Sequence, residues 1–280
     1  MGLLRERYGA IIESGYGIMV NLGFFRYVFG IAAGILILLL LTGNGASAAT
    51  IIIVPHDYAK IQWAIDNATS GDTILVENGT YYENVKVNKK LILVGIGMPV
   101  VDARGRGSTI KLTKNGIRLK GFKTRGAGSQ IENAGIKVKS NNNILIGNMA
   151  TKNGNGKRFG TGIYLYNSNN NTLKNNDASN NNPGGKYRHG IILESSDNNT
   201  LINNKVSNNE YGIFLLYSSN NTLNWNNVSH DIFGIFLSNS NDNTLIRNNL
   251  SKNQVDFSLY YSNNNAIEDC KMKRGQQCIS

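Results

Sequence analysis

The sequence predicts an all-β protein, a single-stranded parallel β-helix of about 22 residues per coil with a short N-terminal capping helix. A pair of residues, Thr-Leu or Ala-Ile, recurs at intervals of 28, 22, 22 and 22 residues, and a Gly-Ile pair recurs between these positions. A fixed period of this size indicates a solenoid whose units bury their apolar faces against their neighbours. The short apolar pairs are separated by Asn, Ser and Gly, a pattern too broken for long helices. The Thr-Leu and Ala-Ile pairs begin at Thr172, Thr200, Thr222, Thr244 and Ala266, and the Gly-Ile pairs begin at Gly162, Gly190, Gly212 and Gly234.

Residues 1–48 are predicted to form a signal peptide. Residues 24–41 are almost entirely apolar, and the small residues Ala46, Ser47 and Ala48 follow them as a cleavage signature. We therefore expect export, with cleavage after Ala48. A membrane anchor is the alternative, because about 18 apolar residues are enough to span a bilayer. Met19 is an alternative start to Met1.

The chain is basic, with 29 Lys and Arg residues against 18 Asp and Glu residues. Removing the leader takes away three Arg and two Glu residues and leaves 26 against 16, a net charge of +10. The basic residues are scattered, so no nucleic-acid partner is expected. A diffuse positive surface suits an anionic polysaccharide or a cell-envelope glycan, and it also serves solubility.

Residues 49–114 are predicted to form the N-terminal cap and the first coils. The β-branched run Thr50–Val54 predicts a strand. Asp57 is then expected to cap a short helix that places Ile61, Ala64 and Ile65 on one face, together with Ala68. The further predicted strands are Thr73–Val76, Val85–Val87, Leu91–Val94, Val100–Val101 and Thr109–Leu112.

The repeats fill residues 115–269, and their equivalent positions sort into columns. Four apolar columns are predicted to form the core, and two Asn columns and one Ser column are predicted to bond coil to coil at the turns. The apolar columns run through Leu173 to Ile267, Ile163 to Phe257, Leu165 to Leu259 and Ala178 to Leu250; the polar columns run through Asn171 to Asn265, Asn176 to Asn248 and Ser168 to Ser262.

A leucine-rich repeat has a similar period and is the alternative fold. The stretch from Ile213 to Leu223 resembles the core of such a repeat. The following residues, Asn224 to Asp231, lack the further apolar series that its convex side needs. The sequence therefore favours the β-helix.

The two cysteines, Cys270 and Cys278, are predicted to form a disulfide that closes a C-terminal cap over residues 270–280, because an exported chain folds in an oxidising compartment. The motif Asn-x-Ser/Thr supplies acceptors for glycosylation in an exported chain. These acceptors are Asn67, Asn78, Asn170, Asn198, Asn220, Asn227 and Asn249.

The segment from Thr50 to Asp102 resembles the N-terminal segment of right-handed parallel β-helix proteins of the pectin-lyase-like superfamily. Together with the Asn-Asn-Thr-Leu and Gly-Ile-x-Leu repeats, it is similar to the NosD-like, carbohydrate-binding and sugar-hydrolase group of archaeal surface proteins. The resemblance implies a right-handed coil plugged at its N-terminal end by the helix. It also implies copper handling, but His56, His189 and His230 are widely spaced and no Cys/His or Met cluster accompanies them. No metal site is therefore predicted for copper or calcium, and no cofactor is expected.

The two 28-residue units each carry six extra residues at one place, and these insertions are the best candidate site. Aligned on the Gly-Ile pairs, Arg158 falls on Lys186 and Phe159 falls on Tyr187. Aromatic rings stack on sugars, and cations neutralise carboxylates or phosphates. The candidates for substrate binding are Arg158, Phe159, Lys186, Tyr187 and the outward column Tyr164, Phe214 and Phe236; those for catalysis are Arg188, His189, Glu194 and Asp197.

We therefore expect a secreted or surface-attached β-helix that binds carbohydrate or serves as a structural module of the envelope, with envelope proteins as further partners. The alternative is a lyase or epimerase acting on anionic polysaccharide, which would need a base beside a sugar carboxylate. A NosD-like copper-binding role is the second alternative. The residues favour binding over catalysis, because the regular units offer no paired acid and base.

Overall fold

The computed structural model describes residues 49–154, 156, 158–181 and 184–272. These residues form a right-handed parallel β-helix with one short helix near the N-terminus, as the sequence predicts. The predicted signal peptide and Cys278 lie outside the described residues, so cleavage and the disulfide stay predictions. Within the described ranges, no helix is long and apolar enough to cross a membrane.

Each coil contributes one strand in turn to three sheets, which we call A, B and C. Sheet A has ten strands in the described residues, and its parallel pairing begins between Ile51 and Thr73. Its strands are β1 Ile51–Val54, β2 Thr73–Val76, β5 Ile92–Gly95, β8 Arg118–Lys120, β11 Ile144–Ile146, β14 Thr172–Lys174, β16 Thr200–Ile202, β19 Thr222–Asn224, β22 Thr244–Ile246 and β25 Ala266–Glu268.

Sheet B is made of short strands in two groups, which single bridges from Asp177 to Met149 and Lys205 connect. The first group is β3 Thr80–Tyr81, β6 Val100–Asp102, β9 Lys123–Arg125 and β12 Met149–Ala150; the second is β17 Lys205–Ser207, β20 Asn227–Ser229 and β23 Asn249–Ser251.

Sheet C has the longest strands and faces the candidate site. Its strands are β4 Val85–Val87, β7 Ile110–Leu112, β10 Ala134–Val138, β13 Gly160–Tyr166, β15 Arg188–Glu194, β18 Tyr211–Leu216, β21 Phe233–Ser238 and β24 Val255–Tyr260. The predicted strands of residues 50–112 are all present, with ends that differ by a residue or two.

The predicted apolar columns are confirmed as the core. Leu201 pairs with Leu223 in sheet A and Ile191 pairs with Ile213 in sheet C, and all four side chains are fully buried. Burial is incomplete only toward the last coil, where Ile267 is partly exposed. Because every coil packs on two neighbours, the core is a continuous apolar rod.

The recurring glycine before each buried Ile is required by close packing between coils. A Cβ added at Gly212 would lie 2.5 Å from the carbonyl oxygen of Gly234 and 2.5 Å from a methyl group of Val228. Real Cβ atoms do not approach other atoms this closely. The Gly-Ile signature therefore records a backbone contact at the start of each sheet C strand.

The Asn columns are confirmed as hydrogen-bonded ladders that run through the buried turns. Asn221 Oδ1 accepts hydrogen bonds from the backbone N and the Nδ2 of Asn199, at 2.8 and 3.2 Å. Asn221 in turn donates from the same two atoms to Asn243 Oδ1, at 2.8 and 3.1 Å. Each amide thus satisfies a buried backbone N–H of the preceding coil. The Ser column works similarly, since the backbone N of Ser196 donates to Ser218 Oγ at 3.0 Å.

A third ladder, which is not among the predicted columns, runs along the turn after sheet B. The backbone N of Asn209 donates to Asp231 Oδ1 at 2.7 Å, and the backbone N of Asp231 donates to Asn253 Oδ1 at 2.9 Å. Asp231 therefore occupies a position that Asn fills in the other coils. The ladder is made of Asn153, Asn181, Asn209, Asp231 and Asn253.

Asp231 lacks one bond that its Asn neighbours make. Asn209 Nδ2 donates to the carbonyl oxygen of Ala178 and Asn253 Nδ2 donates to that of Val228, whereas Asp231 Oδ2 is buried without a hydrogen-bond partner in the described residues. Burial raises the pKa of the Asp231 carboxyl to about 7. The protonated acid resembles Asn, because it can donate a hydrogen bond.

The corners between sheets contain residues whose backbone is in the left-handed conformation, with positive φ, and this explains the Asn content of the corners. In the coil that begins with β18, the residues with positive φ are Tyr217, Asn220, Trp225 and His230. Asn adopts this conformation more readily than other residues with a side chain. The corner that joins sheet C to sheet A contains Asn170, Asn198, Asn220, Asp242 and Asn264.

Helix α1, Ile61–Asn67, buries Ile61 and Ile65 against the first coils. The prediction that Asp57 caps it is wrong, because Asp57 Oδ2 accepts from Ile53 N. Glu83 instead accepts hydrogen bonds from the backbone N–H groups of Ile61 and Gln62. A carboxylate from the next coil can replace a local cap, since it also favours the positive end of the helix dipole.

The Asn ladder predicts that Asn221→Leu destabilises the fold. The substitution leaves the buried backbone N–H of Asn199 without an acceptor, and each such group costs about 1–3 kcal/mol. Urea unfolding should show a loss of about 3 kcal/mol. Asn224→Leu is the matched control, because Asn224 lies between Ile202 and Ile246 in a sheet A column and should tolerate an apolar side chain. Equal stability of the two variants would contradict the ladder.

Asp231→Asn should stabilise the protein at neutral pH. The unfolded carboxyl ionises near pH 3.8 and the folded one near pH 7, so the unfolding free energy of the wild type falls as pH rises through this window. The full loss is about 4 kcal/mol. Denaturant unfolding between pH 4 and 8 should show equal stability near pH 4 and a more stable variant above pH 7. A constant difference across this range would refute the assignment.

Candidate functional site

A row of three lysines lies on the outer face of sheet C, one on each of three successive coils. Lys86 on β4 pairs with Lys111 on β7, and Lys111 pairs with Lys137 on β10. Neighbouring coils are about 4.8 Å apart. The side chains range from exposed at Lys86 to buried at Lys137, and we call these three residues the lysine row.

The lysine row forms the floor of a cleft of about 880 Å³, which we call the cationic cleft. Residues 129–133 form one wall, and Arg158 and Phe159 line it from the insertion before β13. Four cationic side chains face one carboxylate there, that of Glu132. The cleft is therefore suited to an elongated anionic ligand.

Lys137 is the most buried cation of the row. Its Nζ lies 2.6 Å from Glu132 Oε2 and 5.2 Å from the centre of the Tyr164 ring. Burial lowers the pKa of Lys137, while the hydrogen bond with Glu132 opposes that shift. The same hydrogen bond lowers the pKa of Glu132. The pair is thus held in its charged form at the inner end of the cationic cleft.

The column of the lysine row continues as aromatic and apolar residues on the later coils. Lys137 pairs with Tyr164, and the register proceeds through Ile192 to Phe214 and Phe236. This confirms that Tyr164, Phe214 and Phe236 share one outward column. Tyr164 is nevertheless almost fully buried, and its hydroxyl donates a hydrogen bond to Glu194. Burial and this hydrogen bond raise the pKa of Tyr164.

Stacked rings cover the later coils of sheet C, and we call them the aromatic platform. Phe214 and Phe236 are stacked with ring centres 5.1 Å apart, and Tyr211 lies 5.1 Å from Phe233. The five rings are only partly buried, so the parts that their neighbours do not cover form an apolar aromatic surface that a pyranose ring can contact. The aromatic platform is made of His189, Tyr211, Phe214, Phe233 and Phe236.

His189 belongs to the platform as an aromatic ring. It stacks on Tyr211 at 5.4 Å, and its Nδ1 lies 3.5 Å from Oγ1 of Thr161, its partner on the paired strand. Burial lowers the pKa of its imidazole to about 4. The ring is therefore neutral at physiological pH.

The residues predicted from the two insertions do not form a single site. Phe159 and Tyr187 stack with ring centres 5.0 Å apart, as predicted, and Tyr187 is exposed. Arg158 lines the cationic cleft, but Arg188 lines a separate cleft of about 390 Å³ beside Asp231. Lys186 is exposed.

The other two catalytic candidates have structural partners. Glu194 accepts the Tyr164 hydroxyl in sheet C. Asp197 lies in the turn after β15, and its Oδ1 accepts a hydrogen bond from the backbone N of Ser219 at 2.7 Å. This hydrogen bond within the turn explains the presence of an Asp at position 197 without assigning it a catalytic role.

The lysine row was not found from the sequence because the early coils are irregular. The spacing from Lys86 to Lys111 is 25 residues and that from Lys111 to Lys137 is 26, so these positions escape a search for a period of 22. A signal does exist. Each lysine stands between two apolar residues, in Val85–Val87, Ile110–Leu112 and Ile136–Val138.

A family model described as periplasmic copper-binding protein (NosD) matches residues 65–279. The chain belongs to the NosD family. A cell surface glycoprotein of Methanothermus fervidus is similar as well, with 34% identity over 105 residues. That match covers 36% of this chain and 18% of the relative, so this NosD-family chain spans about a fifth of that protein.

Solved structures share the fold. Pectate lyase Pel9A superposes with a TM-score of 0.58 at 15% identity, covering 84% of this chain and 82% of the lyase. The periplasmic alginate epimerase AlgG gives a TM-score of 0.56 at 17% identity, covering 79% of this chain and 55% of the epimerase. Dettilon tailspike protein gives a TM-score of 0.55 at 15% identity, covering 81% of this chain and 48% of the tailspike protein. At these identities the likeness is one of fold.

The described residues of this NosD-family chain do not fit a copper site. They contain no group of three His, Cys, Asp or Glu side chains placed to hold one metal ion. His189 is stacked in the aromatic platform, and His56 lies beside Asp57 near the N-terminal end. Copper needs converging nitrogen or sulfur ligands, which this part of the chain does not bring together.

His189→Phe should reduce the loss of stability in acid. The unfolded imidazole takes up a proton near pH 6.5 and the folded one near pH 4, so acidification through this window favours unfolding of the wild type by up to about 3 kcal/mol. Phe keeps the stacking and does not titrate. Denaturant unfolding at pH 7 and pH 4, with NMR titration of the wild-type ring, would check this. A ring that titrates near pH 6.5 would contradict the burial argument.

Proposed function

We propose that this chain is an extracytoplasmic surface protein that binds an anionic polysaccharide along the outer face of sheet C. The observation that carries the proposal is the single column that changes from the lysine row to the aromatic platform. Cations select carboxylate or sulfate groups, and aromatic faces accept pyranose rings. A linear polymer lying along the coil axis would meet both in succession.

The location rests on the family and its relative. The NosD family is described as periplasmic, and the similar protein of Methanothermus fervidus is described as a cell surface glycoprotein. Both descriptions support a place outside the cytoplasm, where envelope polysaccharides are found. The predicted signal peptide at residues 1–48 agrees with this location.

The cleft residues differ in how available they are to a ligand. Lys137 is committed to Glu132, whereas no ion pair with an acidic side chain is formed by Lys86 or Lys111 among the described residues. We therefore expect these two outer lysines to make the main contacts with ligand carboxylates. Arg158 and Phe159 would hold the opposite edge of the polymer.

Lys111→Met should weaken binding of a polyuronate about tenfold, because a charge-assisted hydrogen bond contributes about 1.5–3 kcal/mol. Calorimetry with polygalacturonate and alginate oligomers measures the effect. Lys174→Met is the matched control, because Lys174 is exposed on sheet A. Raising the salt concentration should weaken wild-type binding. Equal effects of the two substitutions, or equal affinity for a neutral polymer, would refute the proposal.

A lyase or epimerase is the second candidate function. Tyr164, one coil from Lys137, donates a hydrogen bond to Glu194 on the following coil, and a base close to a cation is what abstraction of a proton beside a sugar carboxylate requires. The raised pKa of Tyr164 keeps its phenol protonated at neutral pH, so the residue is not available as the base, which favours the binding function. Release of an unsaturated uronate that Tyr164→Phe abolishes would establish the enzyme instead.

A further inference from the structure

We infer that Asn170, Asn198 and Asn220 form a row of N-glycan acceptors in which neighbouring members exclude each other. All three begin an Asn-Asn-Thr sequence, and all three occupy the left-handed corner between sheets C and A. We call these three residues the acceptor row. The inference rests on the export proposed above, because glycan transfer takes place outside the cytoplasm.

The three residues of each Asn-Asn-Thr motif occupy different structural environments. Asn220 is exposed at the corner, Asn221 is buried in its ladder, and Thr222 begins β19. The same division holds for the other two members. The backbone thus points the first Asn outward and the second inward, so a glycan on the first leaves the ladder intact.

The side-chain amides of the acceptor row make no hydrogen bonds to other groups among the described residues. Within the described residues, Asn170, Asn198 and Asn220 bond to the next coil through their backbone N atoms, at 3.1 to 3.2 Å, and none makes a side-chain hydrogen bond. Other acceptor sequences differ. Asn67 Nδ2 donates to the Trp63 carbonyl, and Asn249 Nδ2 donates to Asn227 Oδ1.

Transfer to a member of the row needs a lipid-linked oligosaccharyl phosphate as donor. The Nδ2 atom of Asn forms a bond to C1 of the first sugar while the bond from C1 to the phosphate oxygen breaks. The lipid phosphate leaves with that electron pair, and one amide proton passes to solvent. No oxidant or reductant is required.

Spacing limits how many members carry a glycan at once. Successive coils are about 4.8 Å apart, less than the width of a substituted pyranose ring with its shell of water. Asn170 and Asn198 are one coil apart, as are Asn198 and Asn220, whereas Asn170 and Asn220 are separated by two coils. Folded molecules should therefore not carry a glycan at Asn198 together with one at either outer position, whereas the two outer positions can be occupied together.

Three single substitutions isolate each pair of acceptors. Thr200→Val leaves Asn170 and Asn220, Thr222→Val leaves Asn170 and Asn198, and Thr172→Val leaves Asn198 and Asn220. Valine keeps the β-branched shape that a strand favours. Thr244→Val is the matched control, because Thr244 lies in the same sheet A column but its corner residue is Asp242, so no acceptor is lost.

The full chain is expressed in a eukaryotic secretory host, and occupancy at each Asn is read by mass spectrometry after enzymatic release of the glycans. With Thr200→Val, the two remaining occupancies should sum to nearly two per molecule. With Thr222→Val or Thr172→Val, they should sum to no more than one, and Thr244→Val should match the wild type.

Sums above one for an adjacent pair would overturn the exclusion. Absence of glycans from the acceptor row, whether or not Asn78 is modified, would overturn the site itself. The polysaccharide-binding proposal is tested on unmodified protein, so its failure and the failure of this inference are distinguishable. Asp242→Asn adds a further test, since its new acceptor should be occupied on the molecules that carry a glycan at Asn198.

Discussion

The stacked amides at the buried corners are the interaction on which the rest of the structure depends. A β-helix has few residues per turn, and its polypeptide must bend sharply between sheets while burying backbone N–H groups. The Asn ladders satisfy those groups from the neighbouring coil and, in doing so, fix the register of the coils that they connect. The pairing of Leu201 with Leu223, and of Lys111 with Lys137, follows from coils held in phase. The outer face of sheet C is therefore a consequence of bonds on the inside of the corners.

Much of this was predictable from the sequence, because equivalent positions in a solenoid become neighbours. The apolar columns, the ladder through Asn221 and the stacking of Phe159 on Tyr187 all follow from alignment of the repeats. Prediction from the sequence fails where the alignment of the repeats is ambiguous or where the contacting residues are far apart in the sequence. Glu83 caps α1 from 22 residues away, and a search for a local cap selects Asp57 instead. The third ladder was missed because Asp231 interrupts its run of Asn.

The site was harder to predict than the fold for a related reason. The insertions before Phe159 and Tyr187 are visible in the sequence as a failure of the period. The cationic cleft, however, depends on residues 129–133 meeting Arg158 across the outer face of sheet C, and loop conformation is not set by a repeat. Arg188, which follows the second insertion in the sequence, lines a different cleft. Periodicity predicts which residues stack and leaves open which loops converge.

The ladders also make the coil the natural unit of length. Every regular coil presents an amide oxygen to the coil before it and an amide nitrogen to the coil after it, so Asn199 would meet Asn243 as readily as it meets Asn221. Loss or duplication of 22 residues joins equivalent corners and leaves no rung unpaired. The length of such a chain along the coil axis can therefore increase or decrease in steps of about 4.8 Å, one coil at a time. The reach of its outer face toward a polymer can therefore change without any new fold.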